Sequence, residues 1–288
     1  MPNASSASSS LTPAPLTQFT ADANYTWRFA YGLFQKSIAI IAFLLLWELA
    51  PRLGFINPSF LPPFSEIIIH GYNFAAEGKL LPHVVASLGR ALSGFALGVA
   101  TAVPVGILLS WYEPFERYFN PLLQLLRQFN SISLLPLFVM FFGVGSVTRI
   151  MIVYWVVVWP ILLSTVSGIK YVDPILVKYG RSLPLSDWRI FTRIVAPSAI
   201  PSVVAGLRLA ATYSFLVLVV SEQVGASSGL GYLVENGQYV MGIDILYVAV
   251  LMLALLGLAA NFSLVLLESR LTRWMPNSRD GSRLGAKS

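Results

Sequence analysis

Long apolar runs with almost no charge leave this chain few ways to fold. A helix crossing a hydrocarbon layer of about 30 Å needs roughly 20 mostly apolar residues, and inside that layer every backbone N–H and C=O must be satisfied within the protein. Six segments meet the length and composition: 36–51, 86–110, 119–143, 147–169, 198–221 and 243–267. The first is short unless Tyr31 to Gln35 extend it. The third is interrupted by Gln124, Arg127, Gln128, Asn130, Ser131 and Ser133 before the apolar stretch LLPLFVMFF. Charged residues are only 11% of the 288 and hydrophobic ones 56%, against about 25% charged in an ordinary soluble domain. Soluble globular and disordered classes are thereby excluded. The expected fold class is an all-α integral membrane protein with six transmembrane helices. With no cysteine there is no disulfide framework, thiolate metal site or thiol nucleophile, and two histidines, His70 and His83, both predicted in an outer loop, make a poor metal set.

Positive charge sets the expected orientation. With the N-terminus inside, segments 1–36, 111–118, 170–197 and 269–288 hold 13 Lys and Arg, against Arg52, Lys79 and Arg149 in 52–85, 144–149 and 222–242. Arg90, Arg127 and Arg208 remain within helices. This asymmetry predicts both termini in the cytoplasm. Residues 1–30, rich in Ser, Ala, Thr and Pro, read as a disordered cytoplasmic tail without the basic start and apolar run of a secretory signal. Residues 31–275 read as the transmembrane domain and 276–288 as a basic cytoplasmic tail. The net charge of +6 is what basic cytoplasmic loops produce and calls for no nucleic acid.

The inner loop 170–197 is longer than a bare helix–helix turn needs. Ser186 or Asp187 can cap a short helix there. Trp188, Phe191 and Ile194/Val195 recur at helical steps to give an apolar face, beside a basic face of Arg189 and Arg193. Periodicity alone leaves two covers open for that face, the lipid headgroup layer or the groove of a partner protein. Helix 2 of the six carries Gly94, Gly98, Ala102 and Gly106 at steps of four, a small-residue stripe that lets another helix approach closely, with Pro104 suggesting a kink. The run GASSGLG at 225–231 suits a tight outer turn or re-entrant segment. Thr212, Tyr213 and Ser214, and Asn130, Ser131 and Ser133, lie near mid-membrane, where small polar groups either bond neighbouring helices or line a path that must release its cargo. No phosphate-cradling loop occurs, since Gly78-Lys79 lacks the upstream glycine and is followed by Leu80.

The loop and its flanks resemble the membrane subunits of binding-protein-dependent ABC importers, in the branch serving sulfonate, taurine, nitrate and bicarbonate. That family's inner-loop signature, E-A-A, three residues, G, nine residues, I-x-L-P, falls on Lys178, Tyr179, Gly180, then Pro184, then Ile194, Ala196 and Pro197. Ile194 and Pro197 match; Lys178, Pro184 and Ala196 depart. Other stretches extend the resemblance over about 36–275: LPPFSEII, SLGRALSGFALGVATAVPVGILL, FNPLLQLLR, LPLFVMFFGVG and SEQVGASSGLGYLV. It implies a type I importer permease in a bacterial plasma membrane. It implies as partners two ATPase subunits carrying ATP and Mg, a solute-binding protein and a second permease subunit, either another copy of this chain or a different one, with no cofactor on this chain. The resemblance assigns the short helix at about 184–195 to ATPase coupling, with Pro184 stiffening the loop and Ser186, Asp187, Trp188, Arg189, Phe191, Arg193, Ile194 and Pro197 forming the surface. Arg127 and Arg208 match family arginines and are expected to pair with another helix or snorkel, or else to lower a barrier for an anion. Glu222 is expected as a structural or gating contact at the outer end of helix 5. The rival readings are a channel, a secondary carrier or an intramembrane enzyme. No filter, coupling-ion site or catalytic set is visible for them, and Glu48 stands alone.

Overall fold

A computed structural model describes residues 38–271, and every regular element among them is helical. The tails expected at 1–30 and 276–288 lie outside the described residues. The chain divides into two compact units at Ser65/Glu66. In the first, α1 (residues 38–52) is followed by a turn-rich return. Glu48, expected to be alone, is not: its carboxylate pairs with Arg52 at 2.7 Å and accepts from the Ser65 backbone N–H at 3.0 Å and hydroxyl at 2.8 Å. The Trp47 indole donates to the Pro62 carbonyl at 3.2 Å.

The elements that follow are α2 (Phe64–Ala76), α3 (Leu80–Trp111), α4 (Glu113–Leu126), α5 (Leu135–Phe142), α6 (Ser146–Lys170), α7 (Pro174–Ser182), α8 (Asp187–Ile190), α9 (Ala196–Gln223), α10 (Leu230–Tyr239) and α11 (Ile243–Leu271). A π-helical turn, Phe191–Val195, joins α8 to α9 without a break. Four of these helices are long and apolar enough to cross a membrane: Leu80–Trp111, Ser146–Lys170, Asp187–Gln223 and Ile243–Arg270.

The expected third span, 119–143, is not one helix. The chain leaves α4 after Leu126 and runs through turns until α5. The Asn130 side chain accepts from the Ile132 N–H at 3.0 Å, a local bond that competes with helix continuation. Pro136 then restarts the helix in its first turn. The outer loop expected at 52–85 is also largely helical: His70 lies in α2 and His83 in the first turn of α3.

In the second unit, α6 is the centre, packed against α3 on one side and α9 on the other. The stripe on α3 meets α6 as its small residues require. A Cβ on Gly94 would stand 2.7 Å from the Val153 side chain and 2.8 Å from the Ile150 carbonyl, and one on Gly98 2.6 Å from Val157. Gly206 of α9 is tighter still, with 2.4 Å to the Ser164 Cβ and 2.9 Å to the Pro160 carbonyl. With no hydrophobic force between helices in lipid, such close backbone approach is the main source of adhesion. Ala102, Val153, Val157, Ile161, Ala210 and Leu218 fill the resulting core.

Candidate functional site

At the end of the bundle where α9 stops, buried polar groups converge. Ser87 and Arg90 are three residues apart on α3 and so share a face; Glu222 is the penultimate residue of α9. The Glu222 carboxylate has 0% exposure and Arg90 7%. Arg90 Nη1 donates to Glu222 Oε1 at 2.7 Å, the Ser87 hydroxyl lies 2.9 and 2.7 Å from its two oxygens, and the Gly231 N–H donates to Oε2 at 3.0 Å. Arg90 also donates to the carbonyl and hydroxyl of Ser228, at 2.7 and 2.9 Å, and through Nε to the Ser146 hydroxyl at 3.2 Å. The Leu230 N–H donates to Ser87 Oγ at 2.8 Å and the Gly229 N–H to His83 Nδ1 at 3.1 Å, while the His83 ring stacks on Tyr232 at 5.8 Å.

The glycines of the 225–231 run make this possible. Gly229 has φ +124°, and a Cβ there would sit 2.4 Å from the Glu222 carboxyl. The turn therefore folds directly over the carboxylate, as its glycine content implied. Arg149, buried in the first turns of α6, donates to the carbonyls of Ser221 and Val224 at 3.3 and 3.2 Å. It thus closes the C-terminal end of α9, where unpaired carbonyls and the helix dipole favour a cation. A buried charge pair with its remaining hydrogen-bond capacity filled is a fastener. This one ties α3, α6, α9 and α10 together.

The other end of the bundle carries the loop 170–197. Asp173 caps α7, its Oδ1 accepting from the Ile175 N–H at 2.8 Å, and Pro174 occupies the first helical position. The separate helix expected at 184–195 is instead the first turns of a continuous helix, Asp187–Gln223. Pro184 lies in the short irregular link before it, and Ser186 occupies the N-cap position without a side-chain cap bond. Phe191 is 6% exposed, packed with Ile169, Val172, Ile190, Val195 and Ala199 and edge-on to Trp111 at 4.9 Å. It belongs to this chain's own core and offers no surface to a partner in this conformation. Trp188, stacked on Phe191 at 5.7 Å, is 70% exposed. Asp187, Arg189 and Arg193 are exposed, and Ile194 and Pro197 half-buried. The free-standing short helix is α7, with Ile175 70% and Tyr179 66% exposed and Gly180 turned inward against Ile190 and Ile194.

The polar residues expected near mid-membrane do not gather. Asn130, Ser131 and Ser133 lie in the turns between α4 and α5, only Ser131 being buried. Thr212 and Tyr213 are exposed, whereas Ser214 is buried, bonded to the Ala211 carbonyl at 2.7 Å. Ser214 lines an apolar cavity of about 320 Å³ between α3, α9 and α11. Arg208 pairs with Glu268 of α11, the interhelical partnership expected of it. Arg127 is exposed at the end of α4 rather than within a span. Glu222 faces no open path, being enclosed by its fastener. Sequence reasoning missed Ser87, His83 and Arg149. The spacing of Ser87 and Arg90 on one helix face was a visible signal, whereas nothing local linked either to Glu222.

Comparison with known proteins gives these two ends a common context. The SsuC protein of Escherichia coli (strain K12), which bears the name of an aliphatic sulfonates transport permease, is 32% identical over 82% of this chain and 90% of its own length. The taurine transport system permease protein TauC of the same organism is 28% identical over 83% of this chain and 89% of its own. An inward-facing structure of the MetNI methionine ABC transporter shares the fold, with TM-score 0.59, 18% identity, and coverage of 67% of this chain and 96% of that one. The model of the binding-protein-dependent transport system inner membrane component matches residues 94–273, so this chain belongs to that family, as a multi-pass ABC importer permease of the inner membrane.

Proposed function

We propose that this permease is one half of an ATP-driven import path for a small organic sulfonate or a related oxyanion. Two copies form the path. Two ATPase subunits, binding ATP and Mg, dock at the end bearing α7, and a solute-binding protein delivers cargo at the Glu222 end. The observation that carries this reading is the exposed apolar face of α7, Ile175 and Tyr179, continued by Trp188. Large apolar residues on a short helix outside the bundle need a cover, and a partner's groove supplies one. Lys170, Lys178, Arg181, Arg189 and Arg193 all fall in the same segment, 170–197, which supports a cytoplasmic position and cytoplasmic termini. The coupling surface is then Ile175, Tyr179 and Trp188 with the exposed Pro184, Ser186, Asp187, Arg189 and Arg193. Phe191, Ile194 and Pro197 act as its foundation.

The test is co-purification. The wild-type chain should bring ATPase subunits with it, and Ile175→Asp or Tyr179→Asp should release them while the chain remains in the membrane. A chain that moves sulfonate without any ATPase would be a channel or secondary carrier, and the proposal would fail.

A further inference from the structure

We infer that Trp155 and Trp159 are oxyanion-binding donors of the transport path, enclosed in this conformation and uncovered during transport. The inference rests on the cargo reading above. Both indole Nε1 atoms are buried and without a hydrogen-bond partner. Buried polar groups are paired in the great majority of cases, so each exception needs a cause. The two residues are four apart on α6 and therefore stacked along one face. Counting from Ser146 at 1.5 Å per residue, they lie about 14 and 20 Å along the helix, near the middle of a hydrocarbon layer of about 30 Å. Their rings meet edge to face at 5.3 Å, and Trp155 meets Phe138 of α5 at 6.3 Å. Aromatic faces are weak acceptors at best.

The two N–H groups are buried within this single chain. Lipid, water or a second copy therefore cannot supply the missing acceptors without a movement. The element placed to move is α5. It has 8 residues, hangs between the turns of 127–134 and Gly143 (φ +75°), and touches α6 through Leu135, Phe138 and Val139 only on one side, while Leu137, Met140 and Phe141 are exposed. Displacing it frees the Trp155 ring from Phe138, and a turn of Trp155 then frees Trp159, whose ring it meets.

The chemistry of those edges selects the guest. An indole donates and never accepts, and the ring edge is the positive part of its quadrupole. A cation gains nothing there, whereas a sulfonate brings three acceptor oxygens and no donor of its own at that group. Neutral donors also hold an anion loosely enough to let it leave, which a buried arginine would not.

The experiment uses the assembled importer in proteoliposomes, with uptake of radiolabelled taurine and ethanesulfonate. Trp155→Phe and Trp159→Phe remove the donor and keep an aromatic ring; replacing either tryptophan by benzothienylalanine keeps the full indole shape as well. Each variant should lower uptake about 10-fold, the effect of one lost hydrogen bond to a charged group, while ATP hydrolysis stimulated by the loaded binding protein persists. Benzothienylalanine variants with wild-type uptake overturn the inference, including the case in which only the Phe variants fail, since that assigns the rings to packing. A wild-type complex that carries neither sulfonate overturns the cargo reading and this inference with it.

Discussion

Removing the Glu222 carboxylate tests the fastener at its most exposed assumption. In Glu222→Ala the Arg90 guanidinium, 7% exposed, keeps its bonds to Ser228 and Ser146 but loses its counter-charge, and the Gly231 N–H loses its acceptor. Breaking a buried pair by removing one partner costs about 3–5 kcal/mol, because the survivor is an uncompensated charge. Most of that cost falls on the docking of α10, whose first turn is bonded to the site through Leu230 and Gly231. At 1.4 kcal/mol per tenfold, a loss of about 3 kcal/mol makes detachment of α10 roughly 100-fold more frequent. The chain has no cysteine, so Leu233→Cys, at a position 4% exposed on α10, gives a clean probe whose thiol-labelling rate reports detachment. Glu222→Ala in that background should label about 100-fold faster, and Glu222→Gln, which keeps the shape, should fall between. The double variant Arg90→Met/Glu222→Met should recover most of the protection, since an apolar pair of similar volume leaves no buried charge. Unchanged labelling in Glu222→Ala, or a double variant as labile as the single, would refute the argument.

Three further outcomes follow from the packing. Gly206→Ala should destabilise by about 1–3 kcal/mol through overpacking, given the 2.4 Å approach to Ser164, whereas Gly89→Ala on α3, with nothing within 4 Å, should be neutral or stabilising; thermal melts in detergent separate them. Phe191→Asp should lower the yield of folded protein, because it places a carboxylate in the cluster around Ile190 and Val195, while Trp188→Ala should leave the yield intact and reduce ATPase stimulation in the assembled complex. Reversing Arg208 or Glu268 alone should lower the melting midpoint by the equivalent of roughly 1 kcal/mol, as suits a pair 39% and 33% exposed, and reversing both should restore it.

Helix number and placement were legible where a single physical rule governed them. Spans on α3, α6, α9 and α11 follow from apolar length alone, and the stripe Gly94, Gly98, Ala102, Gly106 announced a close neighbour without naming α6. The third span failed because composition counts Asn130 only as a polar interruption, whereas the helix has already ended at Leu126 and the Asn130 side chain takes the Ile132 N–H within the turns that follow. The inner loop failed differently. The periodicity of Trp188, Phe191 and Ile194 was real, but the same repeat continues into α9, so an amphipathic pattern was read as a separate element when it was the start of a long one. The Asp173-Pro174 pair marked the true short helix. The Arg90–Glu222 pair joins residues 132 apart in sequence, and no local pattern could reveal it.

The continuity of that long helix bears on how the two ends of the molecule communicate. Asp187–Gln223 is 37 residues, about 55 Å at 1.5 Å per residue. It begins beside Trp188 at the proposed ATPase face and ends one residue after Glu222. Its middle cannot slip past α6, because the Gly206 backbone sits against Ser164 and the Pro160 carbonyl. Its far end cannot drift from α3, because Glu222 is bonded to Arg90 and Ser87. Displacement at Trp188 therefore reaches the Glu222 end as movement of a single rod carrying α6 with it. The one place where the rod departs from regular α-helical winding is the π-helical turn Phe191–Val195, and π-type turns often mark functional positions within helices. In this rod the turn lies just where Trp111 and the cluster around Ile190 grip it, so a push on the exposed first turn is met by packed side chains rather than absorbed by a loose joint. A flexible loop at 184–195 would have dissipated the same push before it reached the membrane.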